Sequence, residues 1–202
     1  MKILLTAFEP FGGEECNAAL EAVTRMNAPT GVTLMKLTVP TVFGACIDVV
    51  TRAIEVEQPD TIVLVGQASG RKAITPERAA INVMDARIPD NAGLQPKDEP
   101  IDPTGPAAYF STLPLRRMIA AAEAVGVPAA LSNTAGTFVC NDLFYGVLHY
   151  LTLQNGGSPA VPAGFVHVPC TPEQAAAFDP PLASMALAEI VKGLEAMIGA
   201  LV

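Results

Sequence analysis

The chain has 202 residues, half of them hydrophobic, which suits one domain that can bury most of its apolar surface without disulfide or metal staples. Its formal net charge of -8, with twelve basic residues scattered along the chain, argues against a protein that tracks nucleic-acid phosphates, because counterion release needs clustered Lys and Arg. The same hydrophobicity argues against a disordered chain.

The first run, Met1-Lys2-Ile3-Leu4-Leu5-Thr6-Ala7-Phe8, stops at Glu9-Pro10. It is too short for a signal-peptide core of roughly 7–15 residues and lacks a cleavage pattern, so a strand is expected over 2–8. A helix follows over about Glu14 to Met26, a strand over 32–38, and a helix from Phe43 to Glu57, where Ile47, Val50 and Ile54 form one apolar stripe. The continuous run Thr61-Ile62-Val63-Leu64-Val65 suits a strand over 61–66 buried on both faces.

The stretch from Ala68 to Pro103 is polar and Pro-rich. A connection of this length is expected to be functional or to carry small strands of its own. A third helix is expected after Asp102-Pro103-Thr104, with Pro106 in its first turn, ending before Gly126. A strand over 129–132, a helix over 138–153, a strand over 163–168 and a helix from Pro172 to the end, broken at Asp179-Pro180-Pro181, complete the chain. In the last helix Glu189, Lys192 and Glu195 interrupt the apolar run from Met185 to Val202, so no membrane span is expected. The alternation of strands and helices predicts a single α/β domain over 1–202, a three-layer α/β/α sandwich around a mostly parallel twisted sheet.

Cys140 follows an expected strand, in Ser132-Asn133-Thr134-Ala135-Gly136-Thr137-Phe138-Val139-Cys140-Asn141. With Thr137 as helix cap, Cys140 falls in the first turn, where free N–H groups and the positive dipole end are expected to lower a thiol's pKa below ~8.5 and ready it as a nucleophile. The plainer alternative is a small buried hydrophobe. A cysteine acting on an amide needs a base that later serves as acid, and the chain has two histidines. His149 lies nine residues on in the same expected helix, which at ~1.5 Å and ~100° per residue places it about 13 Å away on the opposite side. His167 ends the strand Gly164-Phe165-Val166-His167-Val168, on the sheet edge where sites gather in open parallel sheets. For the carboxylate that orients an imidazole, Glu77, Asp85 and Asp90 are all open, each with an alternative as a surface ion pair.

Phe8-Glu9-Pro10-Phe11-Gly12-Gly13 joins a strand to a helix. The Gly pair lacks the lysine of a phosphate loop, and the two aromatics could wall an apolar pocket. The cysteines Cys16, Cys46, Cys140 and Cys170 form no CxxC pair and no zinc-like spacing. Reduced thiols, a cytoplasmic location, and neither metal nor organic cofactor are expected.

At these residues the chain resembles the pyroglutamyl-peptidase I (pyrrolidone-carboxylate peptidase) family. The matching stretches are Leu5 through Gly13, Glu77-Arg78-Ala79-Ala80-Ile81-Asn82, Asp85 through Asn91, Ser132 through Tyr150, and Phe165 through Pro169 with Pro172-Glu173-Gln174. The resemblance implies a cysteine exopeptidase that removes an N-terminal pyroglutamyl residue from peptides. It implies Cys140 as nucleophile, His167 as base and acid, and Glu77 as the orienting carboxylate. It further implies Arg87 and the backbone N–H of Cys140 as oxyanion donors, with Phe8, Phe11, Gln67, Ile88, Phe138 and Val139 around the lactam. Homodimers or homotetramers are implied as well. The chain departs from the family pattern at Ala7 and Ser69, which border that pocket, at Ala18-Ala19, at Asp142 and at Cys170-Thr171. The competing expectations are a non-catalytic lactam- or nucleotide-binding module and a thiol amidase acting on another cyclic amide.

Overall fold

The computed structural model describes residues 1–202. Parallel strands β1 (Lys2–Phe8), β2 (Thr33–Val39), β3 (Thr61–Gln67) and β7 (Ala163–Val168) make the central sheet, with the short β4 (Thr75–Pro76) antiparallel on β7. Their spatial order is β2-β1-β3-β7-β4. The chain leaves β1 toward one side for β2 and returns past it to β3, so the direction of winding reverses between β1 and β3. In open parallel sheets, sites gather outside the strands' carboxyl ends at such a reversal.

Period-two alternation divides each strand between two cores. Leu5, Ala7, Val65, Val166 and Val168 face one core, completed by helices α1 (Ala18–Arg25), α3 (Leu115–Ala124) and α6 (Leu187–Gly199). Leu4, Phe8, Leu64 and Phe165 face the other, with α2 (Ala45–Glu57) and α4 (Val139–Gln154). This is the expected three-layer α/β/α arrangement. β3 is buried from end to end, as its unbroken apolar run requires.

Helix α1 starts later than its apolar pattern suggested, because Asn17 accepts from the N–H groups of Ala19 and Leu20 and caps it. Helix α4 is buried on nearly every side, since the sheet, α2 and a small hairpin all pack on it. It touches α2 through Gly146, where a Cβ would stand 2.3 Å from Ile47 Cδ1.

Two further expected elements differ. The strand over 129–132 is reduced to isolated bridges, Ile74 with Ala129 and Glu77 with Ser132. Ala130 and Ser132 donate to the carbonyls of Ile74 and Pro76, but Pro76 has no N–H to return, so the ladder breaks. The third helix starts at Leu115, after Pro114, rather than just after Thr104. Asp102 accepts from the backbone and hydroxyl of Thr104 in a local turn, and the chain then forms β6 (Ala108–Phe110) against β5 (Ala79–Ile81). The last helical stretch is two pieces either side of the expected break at Asp179-Pro180-Pro181, α5 (Pro172–Ala175) with a Thr171–Gln174 capping box, and α6. The long polar connection carries β4 and β5, the small strands its length called for. No helix is long and apolar enough to cross a membrane.

Candidate active site

The sheet's alternation brings the candidate residues to one face. In β3 and β7 the register pairs Gly66 with His167, both on the α4 side with Leu64 and Phe165. A Cβ on Gly66 would stand 3.0 Å from Cys140 Sγ and 2.8 Å from Phe165 Cζ, so only glycine leaves the sulfur its place. Sulfur and imidazole thus lie over adjacent residues of neighbouring strands, and the His167 ring packs 4.7 Å from that of Phe165, centroid to centroid.

Glu77 follows β4, where its N–H bonds the Phe165 carbonyl and draws the side chain beside His167. Its Oε1 lies 2.7 Å from His167 Nδ1 and 2.8 Å from an Arg71 guanidinium nitrogen. Glu77 is fully buried and His167 nearly so, while Arg71 reaches the surface. Asp85 and Asp90, which the sequence left equally open, are occupied elsewhere. Asp85 is exposed and paired with Lys97 at 3.7 Å. Asp90 accepts from the backbone N–H groups of Phe43, Ala92 and Leu94. His149 lies far along α4, bonded through Nδ1 to Tyr109 and 3.2 Å from Asp102 through Nε2.

Cys140 is the second residue of α4, but the cap is Phe138, and no side chain bonds the helix start. Thr137 instead donates its hydroxyl to the Asp85 carbonyl. The expected lowering of the thiol's pKa is overturned. Burial pushes the Cys140 thiol up to about 12, and the Glu77 carboxylate adds to this. Arg71 and the cysteine's own N–H pull the other way without matching it. Desolvation of a thiolate here outweighs the dipole of one helix end. Burial also holds His167 below its ordinary value, with Arg71 acting in the same direction and Glu77 opposing. Both partners are therefore neutral at rest.

The aromatic residues divide into two sets. Phe11 and Phe138 pack at 5.9 Å between centroids, Phe43 meets Phe138 edge-on at 5.4 Å, and Ile88 Cδ1 approaches Gly12. These form an apolar, partly open group beside the helix start. Phe8 and Val139 are enclosed in the core behind it. The Gln67 side chain points to the opposite face of the sheet, accepting from the Ala18 N–H at 2.7 Å and donating to Glu14. Only its backbone can serve the Cys140 side. Arg87 is exposed on the loop after Asp85, which is held through the Arg87 carbonyl by Gln95.

Phe43, Arg71 and Asn141 belong to this neighbourhood although the sequence did not single them out. Asn141, next to Cys140 and fully buried, exchanges hydrogen bonds with both backbone groups of Ile81 and donates to Val83 O. A polar pair, Asn141-Asp142, at the start of a mostly apolar helix was the available signal. No group of three or more His, Cys, Asp or Glu residues is arranged to hold a metal ion.

The comparisons with known proteins agree with this geometry. The sequence model of the family described as pyroglutamyl peptidase matches residues 1–202. The chain is 51% identical over 203 residues to a pyrrolidone-carboxylate peptidase of Levilactobacillus brevis, covering 100% of this chain and 98% of that one. It is 53% identical over 199 residues to the Vibrio vulnificus protein of the same name, covering 98% and 91%. Among solved structures, pyroglutamyl peptidase I from Bacillus amyloliquefaciens superposes with a TM-score of 0.92 at 45% identity, covering 99% of this chain and 96% of that one. A mutant pyrrolidone carboxyl peptidase from Pyrococcus furiosus gives 0.92 at 36% identity, covering 100% and 98%. With the family pattern spanning every residue and the fold matching throughout, the chain belongs to the pyroglutamyl peptidase family.

Proposed function

We propose that this chain is a cysteine exopeptidase that hydrolyses the bond after an N-terminal pyroglutamyl residue in peptides, with Cys140 as nucleophile, His167 as base and acid, and Glu77 as the orienting carboxylate. The observation that carries it is the commitment of His167 Nδ1 to the buried Glu77. That bond leaves Nε2 as the proton acceptor on the face where Cys140 Sγ packs over Gly66. A mere binding module has no use for such a buried pair.

The neutral resting state sets the order of events. As Sγ attacks the pyroglutamyl carbonyl carbon, its proton passes to Nε2, so the thiolate never exists free. The resulting oxyanion is met by the backbone N–H of Cys140, unpaired as helix-start donors are, and by the exposed side chain of Arg87. Collapse expels the peptide amine, which takes the proton back from His167 and leaves a thioester. Water, deprotonated by the same imidazole, attacks the thioester, releasing pyroglutamate and restoring the thiol.

Selectivity rests on desolvation. The lactam is flat and uncharged, so Phe11, Phe43, Phe138 and Ile88 can accept it, whereas a protonated α-amine would enter that apolar group without a partner. The whole chain serves as one peptidase domain. Its four free cysteines fit a reducing cytoplasm, and Phe110, 68% exposed on β6, offers an apolar surface for a homodimer or homotetramer. Release of an arylamine from pyroglutamyl-arylamide tests the proposal. Turnover is expected in the native protein and its loss in Cys140→Ser, and full activity in that variant would refute it.

A further inference from the structure

The oxygen that orients His167 is shared. Arg71 reaches Glu77 Oε1 at 2.8 Å while His167 Nδ1 reaches the same atom at 2.7 Å. Arg71 is itself fixed, donating to the Thr75 hydroxyl and to the Thr134 carbonyl, while its backbone N–H bonds the Ala68 carbonyl. Glu77 is wholly enclosed, and its second oxygen, Oε2, has no hydrogen-bond partner. A buried carboxylate without a compensating charge beside it is costly.

We propose that Arg71 is a positioning residue for the reaction: its guanidinium sits on the same buried Glu77 oxygen that takes His167 Nδ1, balances that carboxylate, and so holds the imidazole in the tautomer that offers Nε2 to the thiol. This inference rests on the peptidase function proposed above. The net charge of the four groups is unchanged through the proton shift. At rest Glu77 and Arg71 cancel; after transfer, imidazolium and thiolate add a second cancelling pair. Without Arg71 the resting pair carries one uncompensated negative charge, which draws a proton onto His167 before substrate arrives. A protonated imidazole cannot act as base.

The charged and titratable groups facing the imidazole are Glu77 from the end of β4, Arg71 from the loop before it, and Cys140 from α4. The neighbouring strand β3 presents Gly66, and β7 itself presents Phe165. Arg71 acts on both reacting groups in the productive direction, holding His167 down toward its basic form and opposing the rise of Cys140.

The test is the pH profile of kcat/KM in Arg71→Gln, which keeps hydrogen-bonding capacity without charge, beside Arg71→Lys. The Gln variant is expected to lose about tenfold or more at pH 7, a change equivalent to one pKa unit or more. Its acid limb should move to higher pH, while the Lys variant keeps the limb near its native position. A Gln variant that loses activity with an unmoved limb overturns the inference, and Cys140→Ser inactivity in parallel shows that the peptidase function survives that result. If Arg71→Gln does not fold, nitrogen NMR of the native imidazole decides: a neutral ring protonated on Nδ1 near pH 7 supports the role, and an imidazolium or the Nε2–H tautomer overturns it.

Discussion

Cys140 and Gly66 fit each other by the absence of a side chain: Sγ lies 3.0 Å from where a Cβ on Gly66 would stand. Phe165, fully buried, bounds the same point at 2.8 Å, so neither neighbour can move away freely. Gly66→Ala is expected to cost roughly 1–3 kcal/mol of stability through overpacking. Displacement of the sulfur by a fraction of an ångström should also lower kcat, by up to about 100-fold, with a smaller change in KM. Thermal melting and steady-state kinetics separate the two effects. A destabilised variant with native kcat would show that the sulfur's seat over Gly66 does not matter to turnover.

Asn141 imitates a strand. Its amide exchanges bonds with Ile81 at 3.0 and 2.8 Å and donates to Val83 O at 3.0 Å, tying β5 to the helix that carries Cys140. Asn141→Ala leaves these buried backbone groups without partners, at about 1–3 kcal/mol each for those that water cannot reach. The midpoint of denaturation should fall, and amide exchange should quicken at Ile81, the N–H that Asn141 accepts. Unchanged exchange at Ile81 would mean that the hairpin is held by its other contacts.

What the sequence made legible followed from local rules. Continuous β-branched runs marked β1, β3 and β7 within a residue or so of their ends, since burial on both faces leaves no room for polar residues. His149 was separable from His167 because helix geometry fixes nine-residue displacements. Charge environment was not legible. The helix-start argument predicted a lowered Cys140 pKa, but Glu77 and the burial that raise it come from β4 and the packed sheet, remote in sequence. The resemblance placed Gln67 at the lactam pocket, yet which face its side chain takes depends on strand register, and register puts it on the α1 side. The missed β5–β6 hairpin has strands of three residues each, too short to show a period.

Asp142 is a buried carboxylate near the nucleophile whose Oδ2 accepts from the Gly44 N–H at 2.8 Å and the Cys46 thiol at 3.3 Å. Burial raises its pKa, Gly44 and Cys46 oppose, and Asp90 adds a small push upward. A raised carboxyl binds its proton more tightly in the native state than in the unfolded chain. Its stabilising contribution is therefore present below the ordinary value of about 3.9 and lost as pH rises through the native value. Asp142→Asn, which keeps an acceptor and removes the charge, should be more stable than the native protein at pH 7, with the advantage shrinking toward about pH 4. Asp142→Ala should be less stable by about 1–3 kcal/mol, because the Gly44 N–H loses its partner. Denaturant midpoints at both pH values check the sign. An Asn variant weaker than native at pH 7 would mean that the charge itself holds the turn.

The neutral state of Cys140 and His167 has a kinetic signature. Burial and Glu77 push the thiol up to about 12, while burial holds the imidazole below its ordinary value. The acid limb of kcat/KM should then lie below ~6.5, since His167 needs to lose its proton before it can accept one from sulfur. A lowered histidine also binds its proton less tightly when folded than when unfolded. Its contribution to stability is complete above ~6.5 and erodes as pH falls from there toward the native value. Alkylation of Cys140 by iodoacetamide, followed by peptide mass spectrometry so that Cys16, Cys46 and Cys170 are counted separately, should keep accelerating from about pH 7 to 10. A preformed thiolate–imidazolium pair behaves differently: its alkylation levels off once the thiol has ionised. A plateau below about pH 7 at Cys140 would place the negative charge on sulfur before substrate arrives, and the proton transfer that accompanies attack would have no proton to move.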